Sequence, residues 1–352
     1  MNQPHKPTVL ISYSSRHYSP GVIQEREWTS AGQIAKHLMV CHADLDPAYQ
    51  DHPPLTPPRQ VDLLITPYPE RWANLGTRHC VFFPAISHPA YTNKLITEDA
   101  IRFGEPTPEF IASPSALRQF DQNITSSDIL LLIGNETVRN SYLENGATAE
   151  KIVLLHCGID TAHFTPRPRD PASPPVFIHN VTQFCLRKGT HYVLDSWQEV
   201  RRRCPTAELW LLGKKGKEHA WEGKIAQPGI HFLGEYLAGS DHYRSLLNKG
   251  HFVVAPALSE GQAGGVLEAM SCGCVPVAFA NSGIDPLIYG GFEPRFRSTE
   301  SLTDAMLNAI ALMPEWPRHS PFTREQVLAR HTWEAFMRTV RNVSNKLLVP
   351  NT

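Results

Sequence analysis

Residues 251–286 read HFVVAPALSEGQAGGVLEAMSCGCVPVAFANSGIDP. The apolar run 252–256 has strand length and β-branched content. A loop over 257–264 follows and carries Glu260. A short apolar helix over 265–271 carries Glu268. Gly273 ends it, and 275–279 reads as a second buried strand. A strand–loop–helix–strand unit of this kind belongs to a parallel sheet, so the chain is expected to be α/β.

Gly261, Gly264 and Gly265 bring bare backbone N–H groups to the start of that helix. A helix N-terminus has unpaired donors and partial positive charge, which suits a phosphate or a developing anion. Glycine also permits close approach of a ligand to the backbone. Glu260 lies before the glycines and Glu268 after them. Ionised carboxylates only accept hydrogen bonds, so hydroxyls are their natural neutral partners. An anion cradle between two hydroxyl acceptors fits a sugar–diphosphate–ribose ligand.

Glu260 and Glu268 have seven residues between them, and the chain continues EAMSCGCVPV from Glu268. This segment resembles the E-x7-E signature of glycosyltransferase family 4, retaining enzymes of the GT-B fold. The resemblance implies that Glu260 contacts the donor sugar at its reacting end and that Glu268 holds the nucleotide ribose. It makes Lys188, with Arg187 beside it, the cations on the diphosphate. Gln183 stands five residues before Lys188, where the family usually has an arginine. Residues 230–234 resemble the family's F-x-G turn, which puts Gly234 near the base. His88, just past a strand's carboxyl end, becomes a candidate at the reacting sugar. The paired glycines that the family places in the first long loop are reduced here to Ser19-Pro20-Gly21, leaving Gly21 as the donor-loop candidate.

Outward from this unit, the N-terminal part shows strands at 9–13, 61–65, 80–83 and 129–133. Helical patterns cover 27–39, 93–103, 115–122 and 136–145, with Gly146 as a C-terminal cap residue. Residues 151–160, KIVLLHCGID, are similar to the segment that closes the family's first domain. Residues 165–175 hold five prolines and read as a linker. Strands at 176–179, 209–212 and 230–233 and helices at 190–203, 243–248 and 301–313 follow, the last expected to start with a Ser301-x-x-Asp304 cap. Trp333, Phe336, Met337, Val340, Val343 and Leu347 form one stripe at helical spacing. The expected organisation is GT-B: two facing, doubly wound Rossmann-like domains with a C-terminal crossover helix. The N-terminal acceptor domain covers 1–164, the linker 165–175 and the donor domain 176–323. The segment 324–352 docks back on the first domain.

The 352 residues carry a formal net charge of −1, with 41% hydrophobic and 19% charged residues. Real cores are expected, and nothing overall attracts nucleic acid or an anionic membrane. Seven cysteines include no C-x-x-C pair, so free thiols in a reducing compartment are expected. No apolar leader or run of about 18 apolar residues is present. The reading is a soluble, cytoplasmic protein with at most peripheral membrane association. G-x-G-x-x-G, P-loop, G-x-S-x-G and H-E-x-x-H motifs are missing, which disfavours NAD enzymes, P-loop enzymes, serine hydrolases and zincins.

The expected partners are a nucleotide sugar and an acceptor that is a small molecule, glycan, lipid or protein. No cofactor or metal is expected. Two alternatives stand beside transfer. One is a non-catalytic sugar-nucleotide binder of the same fold. The other is a metal-dependent transferase using Asp44 and Asp46, which follow a strand-like run and precede Pro47. The same Asp-Leu-Asp also reads as an acidic loop.

Overall fold

Among the described residues, eleven strands form two wholly parallel sheets, one in each half of the chain. The computed structural model describes residues 6–13, 30–50, 60–105, 111–170, 173–215 and 221–348. The first half runs β1 (Thr8–Ile11), α1 (Ser30–Val40), β2 (Asp46–Tyr49), β3 (Val61–Thr66), β4 (Thr77–Phe82), α2 (Pro89–Phe103), α3 (Pro114–Ser126), β5 (Ile129–Ile133), α4 (Glu136–Leu143) and β6 (Ile152–Leu155). The second half runs β7 (Val176–Gln183), α5 (Thr190–Arg203), β8 (Glu208–Lys214), α6 (Glu222–Ile225), β9 (Ile230–Gly234), α7 (Asp241–Leu247), β10 (Phe252–Ala255), α8 (Gly264–Ser271), β11 (Val275–Ala278), α9 (Thr299–Ala311), α10 (Trp316–Arg330) and α11 (Trp333–Leu348).

The sheet orders are β2-β1-β3-β4-β5-β6 and β11-β10-β7-β8-β9. Central strands such as β5 and β10 are buried at every residue, as continuous apolar runs require when helices cover both faces. Strand order reverses between β1 and β3 in the first sheet and between β7 and β10 in the second. Ligand crevices open at the carboxyl ends of strands at such points.

The stripe on α11 settles onto the first domain. Trp333 stacks on His37 of α1 with centroids 4.0 Å apart, and His42 Nε2 and Ser344 Oγ lie 2.8 Å apart. Gly158 has to be glycine here, because a Cβ would come within 2.5 Å of the Trp333 ring. A second tie joins the halves. Leu95, Ile96 and Ala100 of α2 are buried in the same apolar cluster as Phe177, Tyr192 and Phe279 of the second domain.

The sequence reading departs from the structure at several elements. The run before Asp44 is not strand-like: it is the end of α1 and a turn, and the strand begins at Asp46 itself. As the edge of its sheet, β2 carries only half-buried residues after Asp46, so it lacks a strong apolar signal. The α9 cap is Ser298, which accepts from Ser301 N, so Ser301 lies inside the helix. The sequence reading lacks α6 and α10. The α10 sequence carries Pro317 and Pro321, which read as breakers, and buries only Ser320, Thr323 and Val327. The boundary expected between 323 and 324 falls within this helix. Residues 27–29 of the first expected helix lie outside the described residues.

Candidate active site

The second sheet's switch point is built by two loops held face to face. After β7 the chain makes a tight turn over Leu186–Lys188 and enters α5 through Gly189 at φ +70°. A Cβ at Gly189 would stand 1.9 Å from Pro256 O, so the turn and the end of β10 touch backbone to backbone. Leu258 N donates to Arg187 O at 2.8 Å and locks the two loops together. Arg187 and Lys188 therefore face Glu260. Lys188 Nζ is 2.5 Å from Glu260 Oε1, and the Arg187 guanidinium donates to the same oxygen and to Ser259 O. Burial pushes the Glu260 carboxyl up, but the two cations outweigh it and hold the group below the usual range.

Glu268 lies four residues into α8 and belongs to a second polar group. Its Oε2 accepts from Tyr243 OH at 2.6 Å. Asn180, at the carboxyl end of β7, donates to Tyr243 OH at 2.7 Å and to Gly265 O at 2.9 Å. Tyr236 donates to Asn180 Oδ1 and stacks on Tyr243 with centroids 4.0 Å apart. Burial raises the Glu268 carboxyl to about 7 against the lowering effect of the Tyr243 hydrogen bond.

Between the domains lies a cavity of about 270 Å³. Tyr13, Ala31 and Ala85 line it from the first domain. Asn180, Lys188, Tyr236, Glu260 and Ala263–Gly265 line it from the second. Ala263 caps α8 without a side-chain hydrogen bond, and Gly264 and Gly265 at the start of the helix line the cavity. The first domain supports this loop directly. Ser87 Oγ donates to Glu260 O at 3.0 Å, and Gln262 Oε1 accepts from Cys157 N at 2.8 Å.

The expected site residues separate into three groups. Lys188, Glu260, Gly264 and Gly265 line the cavity together, and Arg187 joins them through Glu260. Glu268 sits behind Tyr243 at the same helix. Gly265 is also a packing glycine, since a Cβ would meet Asn180 Nδ2 at 2.4 Å. Gly261 serves the domain contact: a Cβ there would meet Ala85 O at 2.6 Å and Ile133 O at 2.9 Å. Gly234 ends β9 at φ +75°, two residues before Tyr236, and Gln183 ends β7; neither lines the cavity.

His88 is corrected. It caps α2, with Nδ1 accepting from Ala90 N at 3.2 Å and Nε2 on Asp121 Oδ1 at 3.2 Å. Both ring nitrogens are used inside the first domain, and burial lowers its basicity. Its neighbour Ser87 is the residue that reaches Glu260. Gly21 lies outside the described residues. Asp44 pairs with Arg341 of α11, and Asp46 is exposed at the edge strand. Among the described residues no group of three or more His, Cys, Asp or Glu side chains could hold a metal ion. None of the seven cysteines forms a disulfide.

Asn180, Tyr236, Tyr243 and Gln262 were missed. Asn180 follows His179 in the polar pair that interrupts the apolar residues of β7. Gln262 lies in the glutamate loop itself. Tyr243 carries no such mark, because only the fold brings α7 against α8.

Two parallel α/β domains facing across a cleft, with a terminal helix crossing back, define a class of fold shared with solved glycosyltransferases. Anabaena HepE, solved with UDP and glucose, superposes with a TM-score of 0.67 over 97% of this chain and 100% of its own, at 14% identity. Sucrose-phosphate synthase of Thermosynechococcus elongatus gives 0.64 over 94% and 80%, at 17% identity. The fold is GT-B. Residues 176–312 match the family described as "Glycosyl transferases group 1". The chain is 23% identical over 198 residues, 54% of its length, to a phosphatidylinositol N-acetylglucosaminyltransferase subunit of Arabidopsis thaliana. It is 22% identical over 178 residues, 48% of its length, to the putative colanic acid biosynthesis glycosyltransferase WcaL of Escherichia coli K12. The matched stretch spans 44% of the length of each of these curated relatives. The matched family and both relatives are described as glycosyltransferases. No helix among the described residues is long and apolar enough to cross a membrane.

Proposed function

We propose that the protein is a retaining glycosyltransferase that moves a sugar from a nucleoside-diphosphate sugar to a hydroxyl acceptor, with the E-x7-E pair of family 4 at its centre. The observation that carries this reading is the meeting of Lys188 and Glu260 in the lining of the interdomain cavity, beside the start of α8, with Arg187 on the same Glu260 oxygen. The UDP bound to the structural relative HepE gives the donor class a precedent on the same fold.

The chemistry follows from charge. The bond between the anomeric carbon and the diphosphate oxygen breaks, and the acceptor oxygen bonds to that carbon. The acceptor's proton passes to the departing diphosphate. Negative charge grows on the diphosphate and positive charge on the sugar ring. Lys188, Arg187 and the N–H groups of Gly264 and Gly265 stabilise the first in a site of low water content. Glu260 orients the sugar and stabilises the second. Glu268 accepts from the ribose hydroxyls, and Tyr236 offers a ring beside Gly234 for the base.

The test is a panel of nucleoside diphosphates and their sugars. A bound ligand should raise the melting temperature, and one sugar nucleotide should be consumed on addition of acceptor alcohols. No stabilisation by any of them would overturn the reading. A second reading, a binder without turnover, is favoured by Gln183 in place of the usual arginine. Tight binding with no transfer across a broad acceptor panel would establish it.

A further inference from the structure

A second cavity, of about 560 Å³, adjoins the first and lies within the size range of small-molecule sites. It sits at the carboxyl ends of β1, β3 and β4, which is the switch point of the first sheet. Tyr13, Ala31 and Ala85 line both cavities, so the two spaces share a wall. The opposite wall is one face of α3, where Ala116, Gln119, Phe120 and Asn123 recur at helical spacing. Phe120 packs its ring against Phe82 and His88 and stays half-buried, Ala116 is exposed, and Ile86, also in the lining, is 42% exposed.

The lining has a definite chemistry. It is aromatic and aliphatic, and its polar floor is already paired, Asn123 Nδ2 donating to Glu70 Oε2 at 2.8 Å. Among the described residues no lysine or arginine lines it; the Arg71 guanidinium lies over the Tyr68 ring at 4.1 Å. A phosphate or carboxylate entering here would meet the Glu70 carboxylate, and none of the described lining residues is a cation that offsets it. A sugar polyol would leave most of its hydroxyls facing carbon. We infer that this cavity holds the apolar part of the acceptor, which is a neutral alcohol bearing an aryl or alkyl group. The ring or chain rests against Phe120 and Ile86, and the hydroxyl points to the wall shared with the transfer cleft. Transfer then joins that oxygen to the anomeric carbon and releases its proton to the departing diphosphate. The inference rests on the transferase reading for its direction, and on the cavity's own lining for its class.

The experiment is ligand-observed NMR binding of 2-phenylethanol, 1-octanol, glycerol and glycerol 3-phosphate to the full chain, its Ala116→Glu and Phe120→Ala variants included. At least one of the first two should bind tenfold or more tighter than glycerol. Preference for phenylethanol marks an aromatic acceptor, and preference for octanol a lipid-like one. Ala116 is exposed, so Ala116→Glu should fold normally and weaken that binding tenfold or more. The melting-temperature response to nucleoside diphosphates should stay unchanged. Phe120→Ala should weaken it too, provided the variant keeps that same response. Glycerol or glycerol 3-phosphate binding as well as the apolar alcohols would overturn the inference. So would apolar alcohol binding that Ala116→Glu leaves intact. Apolar alcohol binding through Ala116 in a protein that responds to no nucleoside diphosphate would overturn the transferase reading and uphold the cavity's preference.

Discussion

Lys188 Nζ stands 2.5 Å from Glu260 Oε1, with the Arg187 guanidinium on the same oxygen. The carboxylate neutralises the two cations that a diphosphate would need. An incoming diphosphate therefore competes with Glu260 for them, and the pair keeps both cations aimed into the cleft meanwhile. Glu260→Gln should lower sugar transfer by a hundredfold or more. Nucleoside-diphosphate affinity should be unchanged or up to about tenfold tighter, since a charge-assisted competitor is lost. Calorimetry and a transfer assay on the same preparation check both halves. A parallel loss of affinity and transfer would mean that Glu260 holds the nucleotide.

Lys188 lines the cavity, whereas Arg187 is also tied to Ser259 O at 3.2 Å. Lys188→Ala should nearly abolish transfer. Arg187→Ala should be milder on transfer but should loosen the loop. Gln183 ends β7 away from the cavity lining, so Gln183→Arg should leave activity intact or tighten the donor by reaching in with a longer cation. A Lys188→Ala protein with a near-normal rate would place the charge stabilisation elsewhere.

The two α/β halves and the crossover stripe were legible from their apolar patterns, and the loop between β10 and α8 from its glycines and the spacing of its glutamates. Residues 252–255 form one uninterrupted apolar strand, and Trp333, Phe336, Val340 and Val343 sit on one helix face. The cation–carboxylate triad was readable as separate members, and only the fold brings residues 187–188 against 260. His88 was named because its position after β4 matches where ligands bind. Two unremarkable neighbours, Ala90 N and Asp121, consume its nitrogens. The attachment of α2 to the second domain had no local signal. Leu95, Ile96 and Ala100 read as an ordinary amphipathic face and do not say which core receives them.

Asp44 is bound to Arg341 at the surface, 64% exposed, and Asp46 opens the edge strand. Both lie apart from the cations of the cleft. Transfer should survive chelation, and an Asp44→Asn, Asp46→Asn double variant should retain the wild-type rate. Losing the exposed ion pair should cost at most about 1 kcal/mol of stability. Activity lost to chelation and restored by manganese would return the Asp-x-Asp reading.

Glu268 titrates near 7 because it is buried. Its folded value lies above its unfolded one, so between about pH 4.5 and 7 the native state keeps a proton that the unfolded chain has released. Stability falls as pH rises through that window, by about 3 kcal/mol at the most. Glu268→Gln removes the titration. Its stability relative to wild type should therefore rise by up to about 3 kcal/mol from pH 5 to pH 8 in urea melts. Nucleotide affinity should run the other way, weakening in the wild type below pH 7 as the acceptor is protonated and losing that dependence in Glu268→Gln. A wild type whose affinity is flat from pH 5.5 to 8 would remove Glu268 from the ribose site.

A proline-rich linker between two domains suggests closure on donor binding, but α2 argues for a pair already shut. Ile96 is fully buried against the second domain, Thr92 Oγ1 is 2.6 Å from Ser259 Oγ, and His191 Nε2 is 3.2 Å from Asp99 Oδ2 with both residues sealed from water. Opening would expose that apolar surface and strand a buried polar pair, at a cost of several kcal/mol. The cleft of about 270 Å³ is itself just below the usual size of a small-molecule site, so a donor fits only if the cleft widens slightly. Small-angle scattering should therefore show no decrease in radius of gyration on adding a donor that binds. Ile96→Ala should lower stability by about 2–5 kcal/mol. It should also loosen the pair, so that the variant, unlike the wild type, becomes more compact with donor. Clear compaction of the wild type would show that α2 leaves the second domain in the free protein.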